Sequence, residues 1–285
     1  MNNQVIEIKV TTDLLIDLYA NLENLLPWQS RWYQHRFDRF RYLHKGRQIG
    51  ASDYFALEAL LDACLTAENK TFVSPASSDD DDFMCNEFYY MVRHAKVDKS
   101  LLENEKIIQL SNGAKIYFVS DKEEIPDDCG DIYLSEWAWF DDPKNTLEKT
   151  KIMTSANGIV MINDSALQGA EFELLVKSLK EARNKPFKNL FVYGEKNKRN
   201  IEIIPLSKLS NKGRITLYSS RHENDQGHCL EPEQMFSGYY DVVPNVVYEI
   251  GRDFIDDERR HMQRLAFSDE LFNQLFLCQL PVKKV

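Results

Sequence analysis

The chain has no apolar run approaching the ~18 residues that a membrane-spanning helix needs, so it is not read as membrane-anchored in that way. It has no low-complexity tract, and its first stretch, MNNQVIEIKVTTDLL, lacks the order of a secretion signal. Cysteine is sparse: Cys64, Cys85, Cys129, Cys229 and Cys278. Their number is odd and no two have the spacing of a zinc knuckle or a redox pair, which reads as reduced thiols in a cytosolic chain. Excess positive charge is missing too. Lysine and arginine total 35 against 45 acidic residues, a formal charge of −10. A free-standing nucleic-acid binder is usually basic, so any DNA contact has to be local or shared with partner subunits.

What is present is ordinary globular material. With 285 residues, 43% apolar and 28% charged, the chain has enough length for one large α/β domain or two small ones. The first 26 residues read as a short strand and an amphipathic helix. Pro27 then starts a second helix in LLPWQSRWYQHR. RFRYLHKG has the character of a buried strand, and ASDYFALEALLDACLTA that of a helix, with Phe55, Leu57, Leu60, Leu61 and Cys64 at helical spacing. The alternation continues with a strand in TFVSPAS and a helix in DDDFMCNEFYYMVRHAKV. KIIQLSNGAKIYFVS reads as a hairpin around Asn112-Gly113, and GDIYLSEWAWFDD as a strand. KIMTSANG, NLFVY and GRITLYSS are further strand candidates, GAEFELLVKSLKEAR is a helix, and the tail from Asp256 is helical. Such alternation predicts an α/β fold, a mostly parallel sheet covered on both faces, with ligands at the carboxyl ends of its strands.

HKGRQIGAS, His44 to Ser52, falls between a strand and a helix. It has the outline of a phosphate loop. Gly46 and Gly50 allow close backbone approach, Ser52 is a hydroxyl placed for Mg²⁺, and Lys45 and Arg47 are cations. The residue beside the hydroxyl, normally lysine, is Ala51. The long stem of a lysine on the other flank would reach the same phosphates. From spacing alone a nucleotide site and a plain strand–helix turn both stay open. A nucleotide site also needs a strand ending in an acid for the Mg²⁺ shell and a glutamate to orient water. DIYLSEWAW offers Glu136, with Ser135 in place of the metal-side acid; Glu136 as an ordinary edge carboxylate is the alternative. The cluster HENDQGHC is a metal site or a polar loop, and EKNKRN and NKGR are phosphate contacts or solvated turns. The other histidines carry no partner pattern. Trp28, Trp32 and Tyr33 read as packing beneath the loop, with Trp28 the one placed to touch a base.

In order along the chain, these stretches resemble the ATPase region of phage and prophage terminase large subunits. LLPWQSRWY resembles the family's PxQxRW segment, KGRQIGAS its SRQxGKS/T loop, and DIYLSEWAW its DVYLDEFAF strand. IMTSANG resembles the coupling motif and LFNQLFLCQLP the closing FxQEYxCxF segment. The resemblance covers residues 22–281, leaving 1–21 as an N-terminal segment and 282–285 as a tail. It implies a P-loop NTPase fold of ASCE type that binds ATP and Mg²⁺. Gln29 would read adenine. Gly46, Gln48, Ile49 and Gly50 would cradle phosphate, and Ser52 and Ser135 would face the metal. Arg47 and Lys45 would act on the transferring phosphoryl group, Glu136 would orient water, and Thr154 and Ser155 would couple hydrolysis to movement. The implied partners are double-stranded DNA, a terminase small subunit, the portal and prohead, and further copies in a ring, in the host bacterial cytoplasm and without a membrane.

The sequence departs from that pattern in several places. Lys45 stands upstream where some terminases carry their lysine. Nothing obvious replaces the metal-side aspartate at Ser135; Asp131 would sit at the strand's far end. Gln274 lies near where the closing segment has glutamate. No sequence remains for the family's nuclease domain, which suggests a catalytically weakened regulatory relative or a piece of a longer chain as alternatives to a motor.

Overall fold

The computed structural model describes residues 5–36, 38, 40–76, 86–97, 106–153, 189–194, 200–205, 214–219, 239–246, 250–251 and 257–279. Its strands are β1 (Ile6–Ile8), β2 (Phe40–Lys45), β3 (Lys70–Ser74), β4 (Ile107–Leu110), β5 (Lys115–Ser120), β6 (Asp131–Ser135), β7 (Asn189–Gly194), β8 (Asn200–Pro205), β9 (Ile215–Ser219) and β10 (Tyr239–Val243). Its helices are α1 (Thr12–Leu22), α2 (Pro27–Gln34), α3 (Ala51–Thr66), α4 (Asn86–His94), α5 (Pro143–Met153), α6 (Asp257–Ala266) and α7 (Asp269–Phe276). Eight strands form one sheet in the order β1-β4-β5-β3-β6-β9-β2-β10. Every pairing in it is parallel except the β4–β5 hairpin, which turns at Asn112-Gly113 as the sequence implies. The α/β class with a mostly parallel sheet is therefore what the chain adopts. β9 lies between β2 and β6.

Both faces of this sheet are covered. Leu43, Phe72, Phe118 and Tyr133 point to a core shared with α1, α2, α3 and α4. Their neighbours in sequence, Tyr42, Val73, Ile132 and Leu134, point the other way, to Trp137, Phe140 and Leu147. That is the period of two in a strand buried on both sides. β1 pairs with β4, and Ile6, Ile8 and the apolar side of α1 join the first core. NLFVY does form a strand, β7, which among the described residues pairs with β8 alone, in a separate antiparallel ribbon. β8 and β10 carry no signal that the sequence reading used.

One expectation needs correction. The KIMTSANG stretch does not begin as a strand, because Lys151, Ile152 and Met153 finish α5. Asp142-Pro143 is the overlooked signal: proline takes the first helical position, and the Asp142 carboxylate accepts from the Asn145 amide at 3.0 Å. Thr154 and Ser155 lie outside the described residues, as do GAEFELLVKSLKEAR and HENDQGHC. α3 forms where the apolar spacing placed a helix, and nearly all of it is buried, including Glu58 and Asp62.

Those two acids are tolerated because each meets a buried cation. Arg41 grips Glu58 with both terminal nitrogens, and the hydroxyls of Tyr54 and Tyr133 donate to the same carboxylate. Lys70 and Arg214 each contact both Asp62 and Asp131. The Arg214 amide and guanidinium also reach Asp131, at 2.7 Å for the amide, and the guanidinium donates to the Arg36 carbonyl at 2.6 Å. Asp131 opens β6 and is committed to this network at the far end of the strand from Ser135, so it does not stand in for a metal-side acid. Arg214, expected on a basic DNA-facing or solvated turn, is 1% exposed and belongs to the network instead.

Burial raises the carboxyl pKa of Asp131, but Arg214 and Lys70 outweigh it and hold the group far below its ordinary value. Glu58 is likewise held down, against burial, by Arg41. A carboxylate with a depressed folded-state pKa stabilises the fold fully above its unfolded value, and that contribution is lost as pH falls through the folded value. Urea unfolding of the parent should therefore show stability falling as pH drops below about 4. At neutral pH, Asp131→Asn should cost about 3–5 kcal/mol, because it leaves buried cations short of an anion.

Candidate functional site

β2 ends at Lys45, and Gly46 to Gly50 carry the chain into α3. The loop is held from several sides. The Gly46 amide donates to the Val243 carbonyl at the end of β10, and the Arg47 amide to the Leu275 carbonyl in α7, both at 2.8 Å. The Asn245 side chain donates to the Arg47 carbonyl at 2.8 Å. From α2, the Trp28 indole N–H donates to the Ile49 carbonyl and the Gln29 amide to the Gly50 carbonyl, each at 3.2 Å. Gln48 and Gly50 take left-handed backbone, at φ 62° and 78°. Such a conformation costs energy at a non-glycine residue and persists where its surroundings over-determine it.

A cavity of about 240 Å³ opens over this loop. Its wall includes Lys45, Arg47, Ser52 and Glu136, with Asn86 and Tyr90 from α4. The first backbone donor inside α3 is Tyr54, which reaches Gly50, so the amides of Ala51, Ser52 and Asp53 precede the helical ladder. Together with the helix dipole they make the loop's end favourable to an anion. Lys45 is 5% exposed and its ammonium pairs with Glu136, a residue 91 positions later. Glu136 follows β6 in left-handed backbone at φ 49°, before the tight turn Trp137–Trp139. Arg47 is exposed, and among the described residues its guanidinium has no ion-pair partner. Asp53 is raised by burial, but His94 and then Arg93 outweigh this and hold it below the usual carboxylate range.

The structure thus brings Lys45, Arg47, Gln48, Ile49, Gly50, Ser52 and Glu136 to one cavity. Other expected site residues fall elsewhere. Gly46 does not offer its amide to a ligand, because that amide is bonded to Val243; the glycine is needed since a Cβ would lie 2.3 Å from the Phe276 carbonyl oxygen. Gln29 is 6% exposed; its oxygen accepts from the Leu26 amide at the start of α2 and its nitrogen donates to the Gly50 carbonyl, so its amide ties the loop to α2. Trp28 is fully buried against Tyr54 and supports the loop through its indole N–H. His94, read as partnerless, is 2.9 Å from Asp53. Ser135 is buried behind the cavity wall and donates to Glu87 at 3.0 Å.

Two features escaped the sequence reading. Glu87 is one; nothing in NEFYYMVRH separates it from an acid at a helix start. The other is the end of β9, where Ser219 pairs with His44 and Tyr218 with Ser135, between the loop strand and the Glu136 strand. GRITLYSS was legible as a strand, but its place in the sheet was not.

The oxygens on the cavity, from Ser52, Glu136 and Asp53, suit a hard divalent cation. Among the described residues no three or more His, Cys, Asp or Glu gather into a metal-holding group.

Residues 42–168 match the family described as terminase large subunit, T4likevirus-type, N-terminal. Among curated proteins the chain is 31% identical over 122 residues to the probable terminase, ATPase subunit of Haemophilus phage HP1, covering 42% of this chain. It is 33% identical over 120 residues to the terminase, ATPase subunit of Escherichia phage P2, covering 41% of this chain. These matches span 19% and 20% of the relatives' lengths. Among solved structures, the large terminase ATPase domain of Thermus phage P74-26 aligns over 85% of this chain and 88% of its own, at 12% identity and a TM-score of 0.40. A likeness that distant bears on neither site nor chemistry.

The close seating of Gly46 gives a direct check. Gly46→Ala should destabilise the protein by on the order of 1–3 kcal/mol in thermal or urea unfolding, since backbone rather than a flexible side chain meets the new methyl group.

Proposed function

We propose, on the premise that residues 42–168 belong to the terminase large-subunit N-terminal family, that this chain binds ATP with Mg²⁺ over the loop from Lys45 to Ser52 and hydrolyses it to drive duplex DNA into a phage prohead. The observation that carries this reading is the meeting of Lys45 and Glu136 on the wall of the loop cavity. A cation from one flank and a carboxylate from a distant strand converge where phosphate would lie. On this reading the charge absent at Ala51 is supplied by Lys45 from the end of β2.

The amides that open α3 would receive phosphate oxygens. Mg²⁺, when bound, neutralises phosphate charge, and Ser52 is the hydroxyl placed to hold it. Lys45 and Glu136 neutralise one another without ligand. Phosphate competes for the ammonium, which frees the Glu136 carboxylate to accept a hydrogen bond from the attacking water. Arg47, exposed on the cavity wall, would add charge compensation as the phosphoryl group transfers. Coupling to movement fits the end of β9, the strand joined by backbone to both catalytic strands; Thr154 and Ser155 remain the sequence-based alternative. A small subunit, a portal and prohead, other copies in a ring, and the host cytoplasm are the remaining parts of this proposal.

The purified chain should hydrolyse ATP in a Mg²⁺-dependent way. Glu136→Gln should lower kcat by about 100-fold or more, as should Lys45→Ala, with circular dichroism unchanged. Nucleotide binding without turnover in the parent would replace the motor by the regulatory reading, which Ala51 and Ser135 motivate. Retention of full turnover by both variants would refute the site.

A further inference from the structure

Gln48 takes left-handed backbone, at φ 62°, inside the phosphate loop. Glycine would adopt that shape without strain, so a side chain at this position costs stability. The residue is exposed and lies on the wall of the loop cavity, with Lys45 and Arg47. Its Oε1 accepts a hydrogen bond at 2.9 Å from Nε2 of Gln263, which lies 215 positions later, in α6.

Gln263 reaches the loop on a frame that is already fixed. The Arg264 guanidinium lies over the Phe272 ring, 5.2 Å from its centre, and joins α6 to α7. The Leu275 carbonyl of α7 in turn holds the Arg47 amide at 2.8 Å. α6 itself is a surface helix, with Met262 61% and Leu265 69% exposed. Gln263 Oε1, by contrast, is buried and has no hydrogen-bond partner in the described structure. A buried acceptor left unpaired lowers stability rather than adding to it. Among the described residues, what the Gln263 carboxamide contributes is its donation to Gln48.

That donation has a direction, and the direction matters to an anion. A carboxamide accepts at one end and donates at the other. With its oxygen turned to Gln263, Gln48 has its nitrogen left for the cavity that it lines. Turned the other way, the same group would set a carbonyl oxygen against phosphate oxygens. We infer that Gln263 is a positioning residue for the nucleotide site: by donating to Gln48 Oε1 it fixes the Gln48 carboxamide with its N–H groups available to phosphate. The ligand is then spared the entropy of ordering that side chain. The inference rests on the nucleotide reading of the loop, and it extends that site to a surface helix far along the chain.

The test sets a donor against an acceptor at Gln263. Binding of a non-hydrolysable ATP analogue with Mg²⁺ to the full chain is measured by calorimetry, and thermal unfolding of each variant checks its folding. Gln263→Met, similar in size but without the amide, should weaken binding about 5–10-fold, the worth of one hydrogen bond. Gln263→Lys keeps a donor and should bind within about twofold of the parent. Gln263→Glu, an acceptor of the same shape, should turn the Gln48 amide round and weaken binding further than Gln263→Met does. Gln48→Met removes the group being positioned, and in that background the three substitutions should differ by less than about twofold. Losses as large in that background as in the parent would reveal a general effect of charge or packing and overturn the inference. Parental affinity in a folded Gln263→Met protein would overturn it too, and both results leave the nucleotide site standing. If Gln263→Met does not fold, Gln263→Lys and Gln263→Glu in the two backgrounds decide by the same contrast. A parent that binds no analogue refutes the nucleotide reading, and this inference with it.

Discussion

The amino ends of the central strands are tied together by charge that cancels internally. Arg41 at the start of β2 is matched by Glu58, and Lys70 and Arg214 at the starts of β3 and β9 are matched by Asp62 and Asp131. A buried charge left alone is expensive, and a buried pair stabilises only when its geometry and remaining hydrogen bonds are satisfied. Here tyrosine and threonine hydroxyls and backbone groups complete most of the shell, while one oxygen of Asp62 has no hydrogen-bond partner in the described structure. The network joins β2, β3, β6, β9 and α3 in one register. A slip of any of these strands would strand an ion in the core.

The loop cavity lies at the opposite ends of these strands. Lys45 closes β2 and Glu136 follows β6, so both ride on strands whose other ends are pinned. Their pairing differs in kind from the network: Glu136 keeps about a third of its side chain exposed, while Asp62 and Glu58 keep none. An ion pair at a wet cavity wall can exchange partners at little cost, and a dry one cannot. The loop between the two edges is braced from α2, β10 and α7 at once. The stretches PWQSRWY and LFNQLFLCQ lie far apart in the chain, yet they meet here as supports of the same turn.

The order of the strands was not in the alternation. The pattern of strands and helices showed an α/β sheet and put the loop at a carboxyl end, because those rest on local period and on caps. It could not show that β9 separates β2 from β6, since that depends on which apolar faces find one another. Nor could it distinguish a helix from a strand in KIMTSANG once the Asp142-Pro143 start was passed over.

From the sequence alone came most of the elements, though not α5, β8 or β10, together with the loop and its displaced lysine and the carboxylate after an apolar strand, since spacing and residue type are local properties. Only the tertiary structure decided the fate of each polar side chain. Gln29 and Gly46 proved to be braces, Arg214 and Asp131 partners in a buried network, and Glu87 a neighbour of Ser135. The physical reason is that a charge or an amide takes its role from what lies within about 3 Å of it. Here those neighbours come from segments tens to hundreds of residues away.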